Sequence, residues 1–254
     1  MNLVKKINDR FKSTEKFFDD IILNFDSRGE PFGNQDRNSL KIFNLNGKTI
    51  NIKSFRIPNF VNQITYRFFR KSKAQRSFEY ANKLLSLGIG TPQPIAYYEF
   101  TTHFLFKKSF YISQQLDDDL TYRELTLDLD YPEHEKILRL FTRFTYNLHE
   151  NNINFLDHSP GNTLIKKNED KYEFYLVDLN RMQFKPMDFE TRIKNFSKLT
   201  IHESMIKVMS DEYSKCCNEP YEKVFNLMWN STQAFQEKYY KKKRLKKKLK
   251  FLKK

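Results

Sequence analysis

The chain has 254 residues, 39% of them hydrophobic and 16% aromatic, enough to build the core of one or two domains and too apolar for a disordered tail. Its net charge of +14 points at first to nucleic acid or an anionic membrane. Eleven basic residues and no acidic one lie between Lys238 and Lys254, so residues 1–237 hold 34 basic against 31 acidic and are nearly neutral. The adjacent cysteines Cys216 and Cys217 suit neither an ordinary disulfide nor spaced zinc ligands, which points to a reducing compartment. No apolar stretch of signal-peptide or membrane-spanning length is present, so secretion and membrane spanning are not expected.

In chain order, Phe17 to Phe25 reads as a strand. Three of the six glycines, Gly29, Gly33 and Gly47, then fall within nineteen residues, where the backbone must turn. Leu40–Leu45 and Lys48–Phe55 read as strands joined at Asn46-Gly47, a strong hairpin signal, and with Phe17–Phe25 they predict a three-stranded antiparallel start. From Phe60 to Leu87 the period is helical through Ala74, Phe78, Ala81 and Leu85, closing at Gly88. Thr91-Pro92-Gln93-Pro94 is a breaker, and Ile95–Phe100 and Phe104–Gln115 read as two further strands.

After the acidic connector Asp117-Asp118-Asp119, a helix runs from Glu133 to Glu150 on Ile137, Leu140, Phe141, Phe144 and Leu148. The short strands Thr163–Lys166 and Tyr172–Leu179 interrupt a mostly helical second half, in which helices return from Phe189 to Trp229.

Two segments carry chemistry. Asn151 to Asn162 holds Asp157 and, five positions later, Asn162, ahead of a strand; Asp178 follows the apolar run Phe174 to Val177. Phosphoryl transfer needs a carboxylate to receive the acceptor's hydroxyl proton, with an amide oxygen and a second carboxylate to hold Mg²⁺ against the phosphates of ATP. Ser159-Pro160-Gly161 is turn chemistry in its own right, so the pair Asp157 and Asn162 taken alone also reads as a turn. Upstream, Lys53 lies on the strand after the Asn-Gly turn, opposite Ile50 and Ile52 by two-residue alternation, and Glu79 is the one acidic residue between Asn51 and Tyr98. A glycine-containing loop, a strand Lys, a helical Glu, Asp157, Asn162 and Asp178 occur in the order a kinase-like site requires.

These residues resemble those of the protein-kinase-like superfamily, and most closely the lipopolysaccharide core or Kdo (3-deoxy-D-manno-octulosonic acid) kinases. Leu148-His149 through Asn162 to Ile165 is similar to that family's Leu-His, Asp, Pro-Gly-Asn segment, and Ser77 to Pro94 to its helix running into a Gly-x-x-Pro-x-Pro connection. The resemblance covers about residues 17–200 and implies an α+β, two-lobed fold. Residues 1–116 would form a nucleotide-binding lobe with an antiparallel sheet and one helix, 117–237 a mostly helical catalytic lobe, and 238–254 a basic amphipathic tail.

It further implies that Asp157 is the catalytic base, that Asn162 and Asp178 hold Mg²⁺, and that Lys53 binds the phosphates of ATP and pairs with Glu79. The loop around Gly29 and Gly33 would cover the phosphates, and Gln114, Gln115, Leu116 and Asp117 would form the hinge beside adenine. Phe155-Leu156 replaces the usual His and small or basic residue, Leu179-Asn180 replaces Phe-Gly, and no Ala-Pro-Glu segment follows. These departures argue against a peptide acceptor and against control by activation-loop phosphorylation. The expected reaction is ATP-dependent phosphorylation of a sugar hydroxyl, foremost Kdo of a lipid A precursor. A soluble alcohol or aminoglycoside-like acceptor is the alternative, and a pseudokinase that binds membrane or nucleic acid is the non-enzyme reading.

His149 closes an apolar helix and reads as a structural buttress of the loop, while His158 is expected either to contact substrate or to sit in solvent. In the tail, Leu245, Leu249 and Leu252 give a helix one narrow apolar stripe among Lys and Arg. That composition suits the anionic inner face of the cytoplasmic membrane, where the chain is expected as a peripheral cytoplasmic protein. Nucleic-acid phosphates and plain solvation are less favoured, and no obligate protein partner is implied.

Overall fold

The computed structural model describes residues 1–33, 35–36, 38–169 and 171–251. The chain divides into two compact units, Met1–Asp117 with Asp178–Asn180, and Asp118–Val177 with the chain from Arg181 onward.

Unit 1 contains, in chain order, β1 (Asn2–Ile7), α1 (Glu15–Leu23), β2 (Glu30–Pro31), β3 (Asn38–Leu45), β4 (Lys48–Phe55), α2 (Phe60–Phe68), α3 (Lys73–Ser86), β5 (Pro94–Thr101) and β6 (Phe106–Gln114). The strands form one antiparallel sheet in the order β1-β5-β6-β4-β3-β2. The Asn46-Gly47 turn forms as predicted, with φ of 51° and 78° and Leu45 opposite Lys48, so both central residues take the left-handed conformation of a type I′ turn.

Phe17–Leu23 is helix and not strand, with Phe25 just beyond the helix end. Phe18, Ile21, Ile22 and Phe25 recur at i, i+3, i+4 and i+7 and are all buried, so the period outweighs the β propensity of the residue types. They pack on one sheet face with Ile50, Ile52, Tyr98 and Ile112. The opposite face carries Phe55 and Tyr97 against Ala74 and Phe78 of α3. Alternation along β4 places Lys53 on the same side as Phe55, with Nζ 5.4 Å from that ring.

The helical stretch from Phe60 to Leu87 is two helices. Ser72 begins the second by accepting a hydrogen bond from Gln75 N at 3.1 Å, and Leu84, not Leu85, is its last fully buried residue. Gly88, at φ 71°, closes it with Gly88 N donating to Leu85 O and Ile89 N to Leu84 O, both backbone bonds of a Schellman ending. The strand β1 escapes sequence reading because it is an edge strand with little burial; it is tied down where Lys5 Nζ and Tyr98 Oη both donate to Asp19 Oδ1, at 2.7 and 2.9 Å.

Unit 2 begins with β7 (Leu120–Thr121) and α4 (Tyr122–Leu127), which a Thr121–Glu124 capping box opens. Next come α5 (His134–Glu150), β8 (Ile153–Phe155), β9 (Thr163–Asn168), β10 (Lys171–Leu176) and β11 (Met182–Phe184), then α6 (Phe189–Lys194), α7 (Glu203–Cys217) and α8 (Tyr221–Phe251). The strands make a three-stranded sheet β10-β9-β7 and a two-stranded pair β11-β8. The core is helical: Ile137, Leu138 and Phe141 of α5 pack with Met209 and Tyr213 of α7 and Met228 of α8. Arg139 and Arg143 of α5 both hold Glu212 of α7, whose side chain is only 5% exposed.

The basic run expected as a separate tail is the end of α8, whose 31 residues span about 46 Å. Leu245 is exposed there, whereas Leu252 and the side chain of Leu249 lie outside the described residues. Cys216 and Cys217 are free and half-buried. Among the described residues no helix is long and apolar enough to cross a membrane.

Candidate active site

Unit 1 holds the cationic part of the predicted set. Lys53 reaches Asp178, Nζ to Oδ1 at 2.7 Å, with the lysine side chain 16% exposed. Asp178 has φ 56°, a left-handed conformation that costs a non-glycine residue on the order of 1 kcal/mol and is found where a site dictates the backbone. Asn180 Nδ2 donates to the same Oδ1 at 2.7 Å.

The expected partner of Lys53 is elsewhere. Glu79 receives Lys71 Nζ at 2.8 Å and Gln75 Nε2 at 3.0 Å, donors eight and four residues upstream of it, while Lys53 is satisfied by Asp178. The two glycines also part. Gly29 has φ 82° and lies under Phe43, whose ring atom Cζ would be 2.3 Å from an added Cβ. Phe43 belongs to the α1 side of the sheet, away from the Lys53 face, so packing explains Gly29 and phosphate covering does not. Gly33, at φ 63° between β2 and β3, has open space around it. Its turn is ordered by Gln35, which donates to Phe32 O at 2.7 Å and accepts from Leu40 N at 3.1 Å, while Asn34 and Arg37 lie outside the described residues.

At the end of β6, Gln114 N donates to Gln93 O and Gln115 N to Thr49 O, each at 2.9 Å. The Gln115 side chain accepts from Asn51 Nδ2 and donates to Leu116 O, so that carbonyl is already engaged. Unit 1 ends just beyond, at Asp117.

Unit 2 holds the loop between β8 and β9. Asn162 Nδ2 donates to Asp157 O at 2.8 Å, Asn162 N to Ser159 O at 2.9 Å and Val177 N to Asn162 O at 3.0 Å, which closes the loop on itself and on the end of β10. The Asp157 carboxylate is 30% exposed, and its nearest cation is Arg181 at 3.8 Å. Gly161 admits the Arg123 guanidinium, which would lie 2.5 Å from an added Cβ.

Beneath the loop, Asn195 ties four groups together. Its Nδ2 donates to Phe155 O at 2.9 Å and to Asn154 Oδ1 at 3.1 Å, and its Oδ1 meets His158 Nδ1 at 3.0 Å and His149 Nε2 at 3.4 Å. His149 Nδ1 also meets Tyr213 Oη at 2.8 Å. His149 is therefore a buried buttress. His158 is buried too, against both expectations for it, among the rings of Phe141, Phe155 and Phe196, and its Nε2 has no partner among the described residues. Burial pushes the imidazoles down to about 3 for His149 and about 4 for His158, so both are neutral near pH 7.

Sequence reading missed Asn180, Arg181 and Asn195. Asn180 and Arg181 lie two and three residues after Asp178; Asn195, in the short helical turn Asn195–Lys198, carries no spacing signal.

Taken each within its own unit, the Asp178 carboxylate and the amide oxygen of Asn162, whose Nδ2 is committed to Asp157 O, are oxygen donors of the kind that Mg²⁺ takes. Among the described residues no cluster of three or more His, Cys, Asp or Glu offers an all-protein metal cage.

The sequence model of the lipopolysaccharide kinase (Kdo/WaaP) family matches residues 40–217, more than half of the chain. The chain belongs to that family. It is accordingly a phosphotransferase, a lipopolysaccharide kinase with a protein-kinase-like fold. A solved structure described as WaaP in complex with acyl carrier protein is similar to this Kdo/WaaP family member over 95% of this chain and 99% of that one, with a TM-score of 0.65 and 15% identity. No curated protein sequence matches.

Proposed function

We propose that this kinase transfers the γ-phosphoryl group of ATP, with Mg²⁺, to a hydroxyl of Kdo in a lipid A precursor at the inner face of the cytoplasmic membrane. The observation that carries the reading is the pairing of Lys53 with Asp178, which joins two members of the predicted set across 125 residues of sequence. Asp157 accepts the proton of the acceptor hydroxyl as its oxygen bonds to the γ-phosphorus; the bond to the β-phosphate oxygen breaks and ADP leaves. The Arg181 guanidinium lies 3.8 Å from the Asp157 carboxylate, and Asn195 holds the Phe155 carbonyl and the His158 ring on either side of it. Mg²⁺, when bound, neutralises charge that develops on the phosphates. Asn162 and Asp178 are the residues that would hold it, and Lys53 is the cation for the ATP phosphates. Gly33 leaves the β2–β3 turn free of side-chain bulk where phosphates would be covered. The basic end of α8 supports a peripheral membrane location, since its lysines and arginine suit anionic headgroups.

The test is Asp157→Ala in a purified, active preparation on a Kdo-bearing lipid A precursor. A general base of this kind contributes about 10² to 10⁴ in rate, and phosphotransfer should fall by that factor. Undiminished transfer would remove Asp157 from the role, and phosphate found on another sugar of the core, by mass spectrometry of the product, would overturn Kdo as the acceptor.

A further inference from the structure

The helix α2 in unit 1 is oriented against the usual rule for a surface helix. At 100° per residue, Phe60, Val61, Ile64 and Phe68 fall within about 100° of one another and make one apolar stripe. The stripe faces out: Phe60, Val61 and Phe68 are 63%, 70% and 53% exposed, and Phe69 just beyond is 83% exposed. The other side of the helix does the packing, with the Tyr66 ring 5.6 Å from Phe106, while Arg67, at the edge of the stripe, donates from Nε to Thr102 O at 3.1 Å. That last bond fastens the β5–β6 turn to the helix, and the turn adds Phe104, 74% exposed. Contiguous apolar side chains held outward on a folded unit mark an interaction surface.

Charge selects what covers it. Residues 53–83, which include α2, hold eight basic residues and one acidic. A second copy would bring two such surfaces of like sign together, and the chain's own basic C-terminal run carries the same sign. Bare phenylalanine rings beside arginines, with no matching acids, are the composition of a helix that lies in the headgroup region of an anionic bilayer.

We propose that this face, Phe60, Val61, Phe68, Phe69 and Phe104, with the Arg67 guanidinium 5.3 Å from the Phe68 ring, inserts into an anionic membrane surface. It is a second membrane contact, on unit 1, besides the basic end of α8, and it rests on the reading above only for the choice of a bilayer as occupant.

The test uses the full chain with Trp229→Phe and a single reporter tryptophan. Phe69→Trp places the reporter on the face, and Leu23→Trp, 73% exposed on α1 at the opposite face of the sheet, serves as control. With phosphatidylcholine vesicles containing phosphatidylglycerol, Phe69→Trp emission should shift to the blue and be quenched by brominated lipid, while the control stays unshifted. The triple variant Phe60→Ser, Phe68→Ser, Phe69→Ser should weaken vesicle binding by about tenfold or more. An unshifted Phe69→Trp in protein that sediments with the vesicles would overturn the proposal. So would a shift produced by raising protein concentration without lipid, the sign of a second copy, or one produced by an acidic helical protein and not by vesicles. ADP release on a detergent-solubilised Kdo acceptor separates the two readings: the triple variant should retain it, whereas its absence from the unaltered chain would sink the kinase reading and leave the vesicle result standing.

Discussion

At Lys53 two carboxylates compete, and distance along the chain does not decide between them. Glu79 is nearer in sequence, but Lys71 and Gln75 hold it, and Asp178 arrives from 125 residues away to take the lysine. The two positions should therefore respond differently to substitution. If Lys53 binds the ATP phosphates as proposed, Lys53→Met should lower kcat/KM by about 10²- to 10³-fold, the cost of losing one preorganised charge-stabilising donor. Glu79→Gln breaks a partly exposed ion pair whose usual contribution is about 0 to 1 kcal/mol, so kcat/KM should fall by less than about tenfold. Steady-state kinetics on the two purified variants check this, and equal losses would return Glu79 to the role of partner to Lys53. Asp157, Asn162 and Asp178 were legible because their spacing is local and their chemistry specific. The partner of Lys53 was not, because pairing is settled by which side chains three-dimensional folding brings within reach.

Among the elements, the β3–β4 hairpin was readable from two residues, because Asn-Gly tolerates the left-handed conformation that its twist demands. Gly29 and Gly47 look alike in sequence and have similar φ, yet Gly47 has open space where Gly29 has the Phe43 ring. Gly47→Ala should cost about 1 kcal/mol, the strain of a left-handed alanine alone. Gly29→Ala should cost more, about 2 to 4 kcal/mol, because the ring must also move. Urea unfolding of both variants separates the cases, and equal midpoints would show that Phe43 gives way freely. The first helix was misread for a related reason: Phe17 to Phe25 is rich in strand-favouring residues, and only its burial on the sheet shows that the i, i+3, i+4, i+7 period prevails. The division between α2 and α3 turned on one cap, Ser72, inside a continuous-looking helical pattern.

For the whole molecule, the buried histidines tie stability to pH. In the unfolded chain each titrates near its ordinary 6.5, whereas in the folded chain His149 and His158 are held at about 3 and about 4. The unfolded chain therefore binds more protons between those values, and their contribution to stability, fully present above pH 6.5, is lost progressively as pH falls through 6.5 toward 4 and then 3. Urea midpoints should drop across that window, and His158→Phe should drop less steeply than the unaltered chain; parallel curves would show that His158 is not the source. The net charge of +14 belongs to this scale as well, since its excess is concentrated at the end of α8 and along residues 53–83. The sequence by itself determined the family, the hairpin and the order of the chemical residues, because each depends on residue type and short spacing. Only the tertiary structure decided the partner of Lys53, the burial of His158 under Asn195 and the outward face of α2. Each of these depends on what packs against a side chain from a distant part of the chain, which neither composition nor periodicity encodes.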